Sequence, residues 1–243
     1  MSIDFAIITP LANESNDFAP FVQAVCAVFD RLEGGKCYFV VDKVSKDNTL
    51  ELCQALSQRD SRFITIWAPE NRNVVQAYMV GYQAALTAGH EFIIEIDAGL
   101  SHDPAAIPSF LNALVDGNEC AYGCRFMKGG SISDSSSKRS LLSRAGTLLS
   151  RVLLGLKLRD STSGFQGFHR SVVAKFLKYS LLSKAHFFHV ELRYLLRNKR
   201  FVEIPIHYRA PSPSVSSKVV ANSLDVLWHY FVLRISGKAP EID

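Results

Sequence analysis

A carboxylate directly follows an apolar run at Asp97, in the segment DAGLSHDP that extends to Pro104. Carboxylate oxygens are preferred ligands of divalent cations, and a cation held there could bridge a diphosphate. The same position suits an aspartate that caps the next helix or lies in a solvated loop. Asp97 is therefore a candidate metal ligand, with capping and solvation as the alternatives.

A second polar turn, DKVSKDNT, runs from Asp42 to Thr49 after another apolar run. Asp42 could accept hydrogen bonds from a ribose or a base edge, whereas Asp47 or Asn48 could cap a helix. The chain contains neither a GxGxxG nor a P-loop motif. Their absence from the sequence argues against a Rossmann dehydrogenase and a P-loop kinase.

Two segments of the second half carry further candidate groups. In RDSTSGFQGFHR, residues 159–170, small residues would let the backbone approach a ligand and arginines could clamp phosphate oxygens, although a solvated turn fits equally well. In HFFHVEL, Glu191 could be a site carboxylate or a paired core residue. His186 and His189 lack the spacing and the third ligand of a zinc hydrolase.

Short apolar runs alternate with helical periodicity through the first 120 residues. This alternation is typical of βαβ units and a parallel sheet, whose ligands bind at the carboxyl ends of the strands. The polar segments 10–14, 42–49 and 97–104 would then lie along one edge. The predicted strands are Phe5–Thr9, Cys37–Val41, Phe63–Trp67 and Glu91–Ile96, and the predicted helices are Phe18–Leu32, Asn48–Gln58 and Val74–Thr87.

The second half is less regular. Its predicted strands are Cys120–Gly123 and Phe201–Pro205, its helices Leu141–Leu156, Val172–Leu177, Val190–Arg197 and Ser223–Ile235, and its loops Gly129–Ser137 and Pro211–Ser217. Basic residues accompany the helix within 138–159, which suits a helix on an anionic membrane, although a core-facing helix with a charged outer face is commoner. Apolar stretches stay below the roughly 18–20 residues of a membrane span, so we expect a soluble or peripheral protein.

Opposite charges dominate the two halves of the chain. Residues 1–120 carry 7 Lys and Arg against 16 Asp and Glu, whereas residues 121–243 carry 20 against 7. The basic half suggests a surface that meets anions. Nucleic acid is disfavoured because aromatic residues do not alternate with basic ones as in an RNA-binding motif. Five cysteines without a CxxC pair favour reduced thiols over a disulfide or zinc framework.

These segments, in this order, resemble the motifs of glycosyltransferase family 2, in particular its dolichol- and polyprenyl-phosphate mannosyltransferases and the related glucosyltransferases. The resemblance covers most of the chain, from about residue 7 to residue 218. The matching segments are Pro10–Glu14 (P-T-Y-N-E), Asp42–Thr49 (D-D-x-S-x-D-x-T), Asp97–Pro104 (D-A-D-L-S-H-x-P), Gly123–Arg125 (G-x-R), Ser143-Arg144 (S-R), Asp160–Gln166 (D-x-T-S-G-F-R) and, loosely, Arg209 through Ser217-Lys218 (R-x-x-G-x-S-K).

The resemblance implies a GT-A fold, an α/β fold with a Rossmann-like, mostly parallel sheet flanked by helices. It also implies a nucleotide-sugar donor, inversion at the anomeric carbon and a lipid-phosphate acceptor. The donor-binding residues implied are Pro10, Asn13, Glu14, Asp42, Asp97 and Ala98. The catalytic residues implied are Asp97, Arg125, Asp160, Gln166 and Glu191. The acceptor- or phosphate-binding residues implied are Arg125, Arg144, Ser163, Arg209, Ser217 and Lys218.

The chain departs from the family pattern mainly on the donor side. The replacements are Ala12 for a tyrosine, Lys43 for the second aspartate of its motif, Gly99 for the middle carboxylate of D-A-D, and Gln166 for an arginine. The resemblance implies Mg²⁺ or Mn²⁺ at Asp97, but Gly99 removes one expected ligand. Lys43 or Arg72 could replace part of the charge of the cation.

The sequence thus predicts an enzyme, a hexosyltransferase that moves mannose or glucose from GDP-mannose or a UDP-sugar to a polyprenyl or dolichyl phosphate. We expect a catalytic domain over residues 1–210, then an acceptor loop and an amphipathic helix over 211–243. The expected location is the cytoplasmic face of a membrane, in peripheral contact with anionic lipid. The alternatives are transfer from a UDP-sugar to a glycan or soluble acceptor with Glu191 as base, non-catalytic nucleotide-sugar binding, and a membrane-binding module.

Overall fold

The computed structural model describes residues 3–133, 137–209 and 217–242, with the side chains of 137–139 left aside. A seven-stranded sheet with helices on both faces forms the centre of the molecule. All five cysteines are unpaired, as the sequence predicts. The helices of the described ranges include none that is both long and apolar enough to cross a membrane.

The first half builds the regular part of the sheet, close to the predicted bounds. Its strands are β1 (Phe5–Leu11), β2 (Lys36–Val41), β3 (Phe63–Trp67) and β4 (Phe92–Glu95). Its helices are α1 (Phe18–Leu32), α2 (Thr49–Arg59), α3 (Val74–Thr87) and α4 (Ile107–Val115), the last preceded by a 3₁₀ turn at Pro104–Ala106. These strands are mutually parallel, so their carboxyl ends share one edge.

The second half adds strands β5 (Cys120–Cys124), β6 (Ser131–Ser133), β7 (Gln166–His169), β8 (Phe201–Pro205) and β9 (His207–Arg209). It also adds helices α5 (Ser137–Leu154), α6 (Arg170–Phe176), α7 (Phe188–Leu195) and α8 (Ser217–Ile235). The order of the main sheet is β3-β2-β1-β4-β7-β5-β8. Strand β7 is antiparallel to β4 and β5, and the other pairs are parallel, which confirms a mostly parallel sheet.

Several local predictions are wrong in the second half. The polar segment predicted as a loop over 129–137 contains β6, which pairs in parallel with β9. The segment 159–170 is not the solvated turn that the sequence left as one alternative. It ends in the central strand β7, whose apolar and small residues fill the gap between β4 and β5. Helix α8 begins at Ser217 rather than Ser223. The rest of the loop predicted over 211–217 lies outside the described residues.

Two cores pack against the two faces of the sheet. Along β1, Phe5 and Ile7 point into the core under α1 and α4, whereas Ala6 and Ile8 point into the core under α3 and α7, as the two-residue period of a strand requires. Helix α8 contributes Val226, Leu227 and Tyr230 to the second of these cores. The domain boundary expected at residue 210 stays a prediction.

Candidate active site

Two polar loops join at the carboxyl edge of the sheet, after β1 and β2. The backbone N–H of Glu14 donates to Thr49 Oγ1 (2.9 Å), that of Ser15 donates to Asp47 Oδ2 (3.0 Å), and that of Lys46 donates to Asn13 Oδ1 (2.8 Å). Hydrogen bonds from Ser15 and Thr49 hold the pKa of Asp47 well below its usual range. The two loops therefore form one cross-linked wall.

Asp42 and Asp47 take different roles in this wall. Asp47 Oδ1 accepts the backbone N–H of Thr49 (3.2 Å) at the start of α2, whereas the Asn48 side chain makes no capping bond. Asp42 is mostly buried and accepts the N–H of Val44 (2.9 Å). Of the two predicted caps, the structure selects Asp47.

Asp97 follows β4 and keeps a partly exposed carboxylate. Its Oδ1 accepts the hydroxyl of Tyr78, and its Oδ2 lies 3.5 Å from Nδ1 of the buried His102. Burial opposes ionisation of Asp97, but the imidazoles of His102 and His186 and the Tyr78 hydroxyl outweigh it, so the pKa of Asp97 lies below its usual value. The next turn is capped by Asp103, whose Oδ1 accepts the N–H of Ala105 (2.9 Å). The capping role thus belongs to Asp103.

Glu14 lies beside Gly99, where the family pattern has an aspartate. Gly99 has a φ of +77°, and a Cβ added there would lie 2.9 Å from Glu14 Oε2. Burial, followed by the charges of Asp17, Asp97 and Asp47, raises the pKa of Glu14 to about 7. The Glu14 carboxylate therefore takes up space that a residue-99 side chain would need, and it does so among like charges.

The residues around Asp97 do not fit a cation held by protein ligands alone. Within the described ranges, His, Cys, Asp and Glu form no group of three or more that could hold a metal ion. Gly99 supplies no ligand, and the Tyr78 hydroxyl already occupies one oxygen of Asp97. The assignment of Asp97 as a metal ligand stays a prediction.

A buried ion pair lies beyond the carboxyl end of β5. Arg125 donates from Nε to Asp160 Oδ2 (2.7 Å) and from Nη2 to Asp160 Oδ1 (2.8 Å), and its backbone N–H also reaches Oδ2 (3.0 Å). Burial raises the pKa of Asp160, but the bonds and charge of Arg125 outweigh this effect and the pKa lies below its usual value. Both groups are therefore charged and held in a fixed geometry.

A second buried arginine, which the sequence did not indicate, supports the same segment. Arg193 of α7 donates from Nη1 to the carbonyl of Asp160 (2.9 Å) and from Nη2 to the carbonyl of Ser163 (2.7 Å). We call the carboxyl edge of the sheet that carries Glu14, Asp42 and Asp97 the donor edge. Residues 160–166 lie against it, since a Cβ added at Gly164 would lie 3.0 Å from Asp97 Oδ2. The two halves of the chain thus meet at Asp97.

A buried carboxylate, also missed from the sequence, fixes Gln166. Residue Glu95 is opposite Gln166 in the antiparallel pair of β4 and β7. Its Oε2 accepts Gln166 Nε2 (3.0 Å) and the hydroxyl of Tyr82 (2.6 Å), and its Oε1 lies 2.6 Å from His189 Nε2. Gln166, expected near the diphosphate, is therefore fully buried in this network. An acidic residue inside an apolar strand was the available signal for Glu95.

Glu191 is buried in α7 with both oxygens bonded. Its Oε1 accepts the backbone N–H of Leu182 (2.7 Å) and the hydroxyl of Tyr230 (2.8 Å), and its Oε2 accepts the N–H of Ser183 (2.8 Å). These bonds tie α8 and the 182–183 turn to α7. Glu191 therefore has the bonding of a paired core residue, which is one of its two predicted roles. A role as base stays a prediction.

The remaining candidates divide between exposed and buried positions. Arg144 is exposed with its guanidinium 4.5 Å from the Phe126 ring. Arg209 is exposed, and its backbone N–H donates to Ser101 (2.8 Å), which brings β9 to the Asp97 segment. Ser217 and Lys218 are exposed at the start of α8. Of the other three, Pro10 lies in β1, Ala98 is the buried residue that follows Asp97, and Ser163 accepts a hydrogen bond from Arg193 through its carbonyl.

Comparisons with known proteins show the family of the chain. The family model described as "Glycosyl transferase family 2" matches residues 6–177. The polyprenol monophosphomannose synthase of Mycolicibacterium smegmatis is 29% identical over 235 residues, covering 96% of this chain and 87% of that protein. The dolichol-phosphate mannosyltransferase of Pyrococcus furiosus is 31% identical over 172 residues, covering 69% of this chain and 47% of that protein.

A solved structure shows the same fold at low sequence identity. The glucosyl-3-phosphoglycerate synthase of Mycobacterium tuberculosis, in complex with Mn²⁺, UDP-glucose and phosphoglyceric acid, aligns with a TM-score of 0.69 at 16% identity. The alignment covers 98% of this chain and 81% of that one. The expected GT-A fold is thereby confirmed.

Proposed function

The chain belongs to glycosyltransferase family 2, and we propose that it transfers a hexose, mannose or glucose, from a nucleotide sugar to a polyprenyl or dolichyl phosphate with inversion. The observation that carries the proposal is the contact of the 160–166 segment with Asp97, which joins the acidic donor edge to the basic half. The matched polyprenol and dolichol phosphate mannosyltransferases support a lipid-phosphate acceptor. The donor is GDP-mannose or a UDP-sugar.

The donor side of the proposed mechanism uses the wall formed by the first two loops. Asp42 and Glu14 face the ribose and base, helped by Pro10, Asn13 and Ala98, while Asp97 faces the diphosphate end. Tyr78 holds the orientation of Asp97 by a hydrogen bond to Oδ1, and the buried His102 ring packs 3.5 Å from Oδ2 without a hydrogen bond among the described residues. Burial lowers the pKa of His102 to about 4, so its imidazole is neutral near pH 7 and does not neutralise Asp97.

The acceptor side needs positive charge more than a base. The attacking phosphate oxygen is already anionic, so the enzyme has to bring two anions together and stabilise the departing diphosphate. Arg125 is already paired with Asp160, and we assign this pair to holding the 160–166 segment. Exposed Arg144 and Arg209 would bind the phosphates, together with Ser217 and Lys218 of α8. These steps use only the side chains of the chain itself.

Mg²⁺ or Mn²⁺ at Asp97 is a separate part of the proposal. Support comes from the Mn²⁺ in the M. tuberculosis synthase complex, whereas the replacement of a carboxylate by Gly99 argues for weak binding. Calorimetric titration of wild-type protein and of Asp97→Ala with Mn²⁺ tests whether Asp97 binds the cation. Equal binding by the two proteins would show that Asp97 is not the ligand.

We also propose that α5 and α8 contact an anionic membrane. Their packed pair exposes large apolar side chains beside the cations Arg144 and Arg151. Burying such side chains in the interface and attracting anionic lipid are the two forces that hold an interfacial helix. The exposed apolar residues are Leu141, Leu142, Leu148, Leu149 and Val152 on α5, and Val220, Leu224, Trp228, Val232 and Ile235 on α8.

Vesicle co-sedimentation tests this contact. The double variant Leu148→Ser, Val152→Ser should lower partitioning onto phosphatidylglycerol vesicles by about tenfold or more, given about 1.5–3 kcal/mol for each fully buried side chain. Val115→Ser is the control, since Val115 is similarly exposed but lies on α4. Equal loss in both variants, or none in the double variant, would contradict the proposed surface.

A transfer assay tests the function itself. Radiolabelled GDP-mannose or UDP-glucose is incubated with the protein and a polyprenyl phosphate, and label is counted in the organic phase. Asp97→Asn should reduce transfer by about 100-fold, whereas Asp103→Asn, in the same segment but only capping a turn, should retain it. Donor binding without turnover would instead support a non-catalytic binding protein.

The rival transfer to a glycan or soluble acceptor predicts a different variant profile. A neutral hydroxyl acceptor needs a base, so Glu191→Gln should then abolish transfer. With a phosphate acceptor the loss should be partial and accompanied by lower stability, because Glu191 is bonded to two backbone N–H groups and Tyr230.

A further inference from the structure

A cavity of about 220 Å³ lies away from the donor edge, between the end of α5, the end of α7 and the strands β5 and β8. Apolar residues such as Leu156, Leu158 and Phe201 line part of it. Its polar lining consists of Tyr122, Lys157, Arg193, Arg197 and Asn198. Three of these five side chains are cationic, and the lining includes no acidic side chain among the described residues, although Glu241 binds Arg197 and Asn198.

Arg193 is the unusual member of this lining. It is 1% exposed, and its two terminal nitrogens donate to the carbonyls of Asp160 and Ser163. Its Nε has no hydrogen-bond partner among the described residues. The negative charges of Asp160 and Glu95 also act on Arg193, but Asp160 already holds Arg125 in a bidentate pair. Arg193 is therefore a buried cation that hydrogen-bonds only to neutral carbonyls and shares the charge of Asp160 with Arg125, which is a costly arrangement.

Other donors surround the same space. The Arg193 guanidinium lies 4.7 Å from the ring centre of Tyr122. The buried Tyr122 hydroxyl interacts with the Cys120 thiol and has no nitrogen or oxygen partner in the described ranges. Lys157 is exposed at the rim. Arg197 is partly committed, since it donates to the carbonyl of Pro240 (2.7 Å) and reaches Glu241 Oε2 at 3.3 Å. The cavity thus offers donors on several sides and positive potential.

We propose that this cavity binds a small oxyanion of the phosphate type, with Arg193 and Tyr122 at its base and Lys157 at its rim. The anion would add to the counter-charge that Arg193 now shares with Arg125, and it would accept a hydrogen bond from Arg193 Nε. Arg193 also holds the carbonyls of Asp160 and Ser163, so occupancy would stiffen the segment that contacts Asp97. Phosphate binding in this cavity does not require that the proposed transfer reaction be correct.

Calorimetric titration with inorganic phosphate tests the proposal on the full chain. Lys157→Glu should raise the dissociation constant for phosphate by about five- to tenfold, because the charge beside the anion changes by two units. Lys175→Glu is the control: it makes the same charge change on α6, at an exposed residue outside the cavity lining. Both substitutions are exposed, so both variants should keep the wild-type melting temperature within about 2 °C.

Binding at the proposed acceptor site has to be separated from binding in the cavity. Arg144→Ala should leave the phosphate dissociation constant of the cavity unchanged, and a selenate-soaked crystal should show an anomalous peak within hydrogen-bond distance of Arg193 or Tyr122. Glycerol 3-phosphate in place of phosphate shows whether an esterified phosphate also enters. Equal weakening by Lys157→Glu and Lys175→Glu, or selenate only beside Arg144, would overturn the proposal.

Discussion

The donor edge and the Arg125–Asp160 region differ in how their charged groups are arranged. At the donor edge, Glu14 and Asp97 are like charges in close proximity, and the pKa of Glu14 rises to about 7. In the other region, opposite charges are buried together, and Arg125 and Asp160 satisfy each other with three hydrogen bonds. A bound ligand that offsets the negative charge would stabilise the first region, whereas the second region is already neutralised and ordered.

The difference matches where the sequence departs from the family pattern. Gly99 and Lys43 are donor-side replacements, whereas the residues of the ion pair follow the pattern. A buried pair tolerates little change, because removal of one partner leaves an uncompensated charge. A partly solvated edge can accept new residues at smaller cost, since water screens its charges.

The largest expected effect comes from breaking the buried pair. Asp160→Asn should lower the free energy of unfolding by about 3–5 kcal/mol, since it leaves Arg125 buried without a counter-charge. Asp60→Asn is the matched control, because the Asp60–Arg62 pair is also bidentate but partly exposed, and it should cost about 1 kcal/mol or less. Urea unfolding measures both. Equal losses would remove the contrast between buried and exposed pairs.

The next effect concerns Gly99. Gly99→Asp should destabilise the protein by about 2–3 kcal/mol, because it combines a positive φ with a close approach to Glu14. Gly89→Asp is the control: Gly89 also has a positive φ, but an added Cβ would meet nothing within 4 Å, so only the backbone cost of about 1 kcal/mol applies.

The role of Glu14 in that cost can be isolated. In a Glu14→Ala background, thermal unfolding should show that Gly99→Asp loses no more stability than Gly89→Asp does. An unchanged loss in that background would show that Glu14 does not compete for the space beside Gly99.

The smallest effect is a pH dependence. The pKa of Glu14 rises from 4.5 to about 7 on folding, so the folded state binds more protons between these values and stability falls as pH rises through this window. Glu14→Gln should therefore be more stable than wild type at pH 8 by about 1 kcal/mol, because partial exposure screens the repulsion, with little difference at pH 4.

Melting temperatures at pH 4, 6 and 8 check this expectation. Glu91→Gln, at an exposed position, is the control and should follow the wild-type profile. Parallel profiles for wild type and Glu14→Gln would show that the carboxylates do not crowd in solution.

The regular half of the fold follows from local patterns. Helices Phe18–Leu32 and Val74–Thr87 and strand Phe63–Trp67 have the bounds that their apolar patterns predict. Each of the two helices buries one continuous apolar face. The convergence of Glu14, Asp42 and Asp97 at one edge also follows, since parallel strands end together.

The buried polar contacts could not be predicted in the same way. Glu95 meets Gln166 only because β7 inserts antiparallel between β4 and β5, and that pairing joins residues 71 positions apart. Arg193 resembles any helix-surface cation in the sequence until α7 packs it against the carbonyls of residues 160 and 163. Such contacts depend on long-range topology, which short-range periodicity does not encode.

The most direct test of the account compares polyprenyl phosphate with the corresponding unphosphorylated polyprenol as acceptor, with the same labelled nucleotide sugar. The account predicts transfer to the phosphate alone, and Arg144→Ala should raise the KM for that acceptor while the melting temperature stays unchanged. Transfer to the alcohol at a comparable rate, abolished by Glu191→Gln, would contradict it.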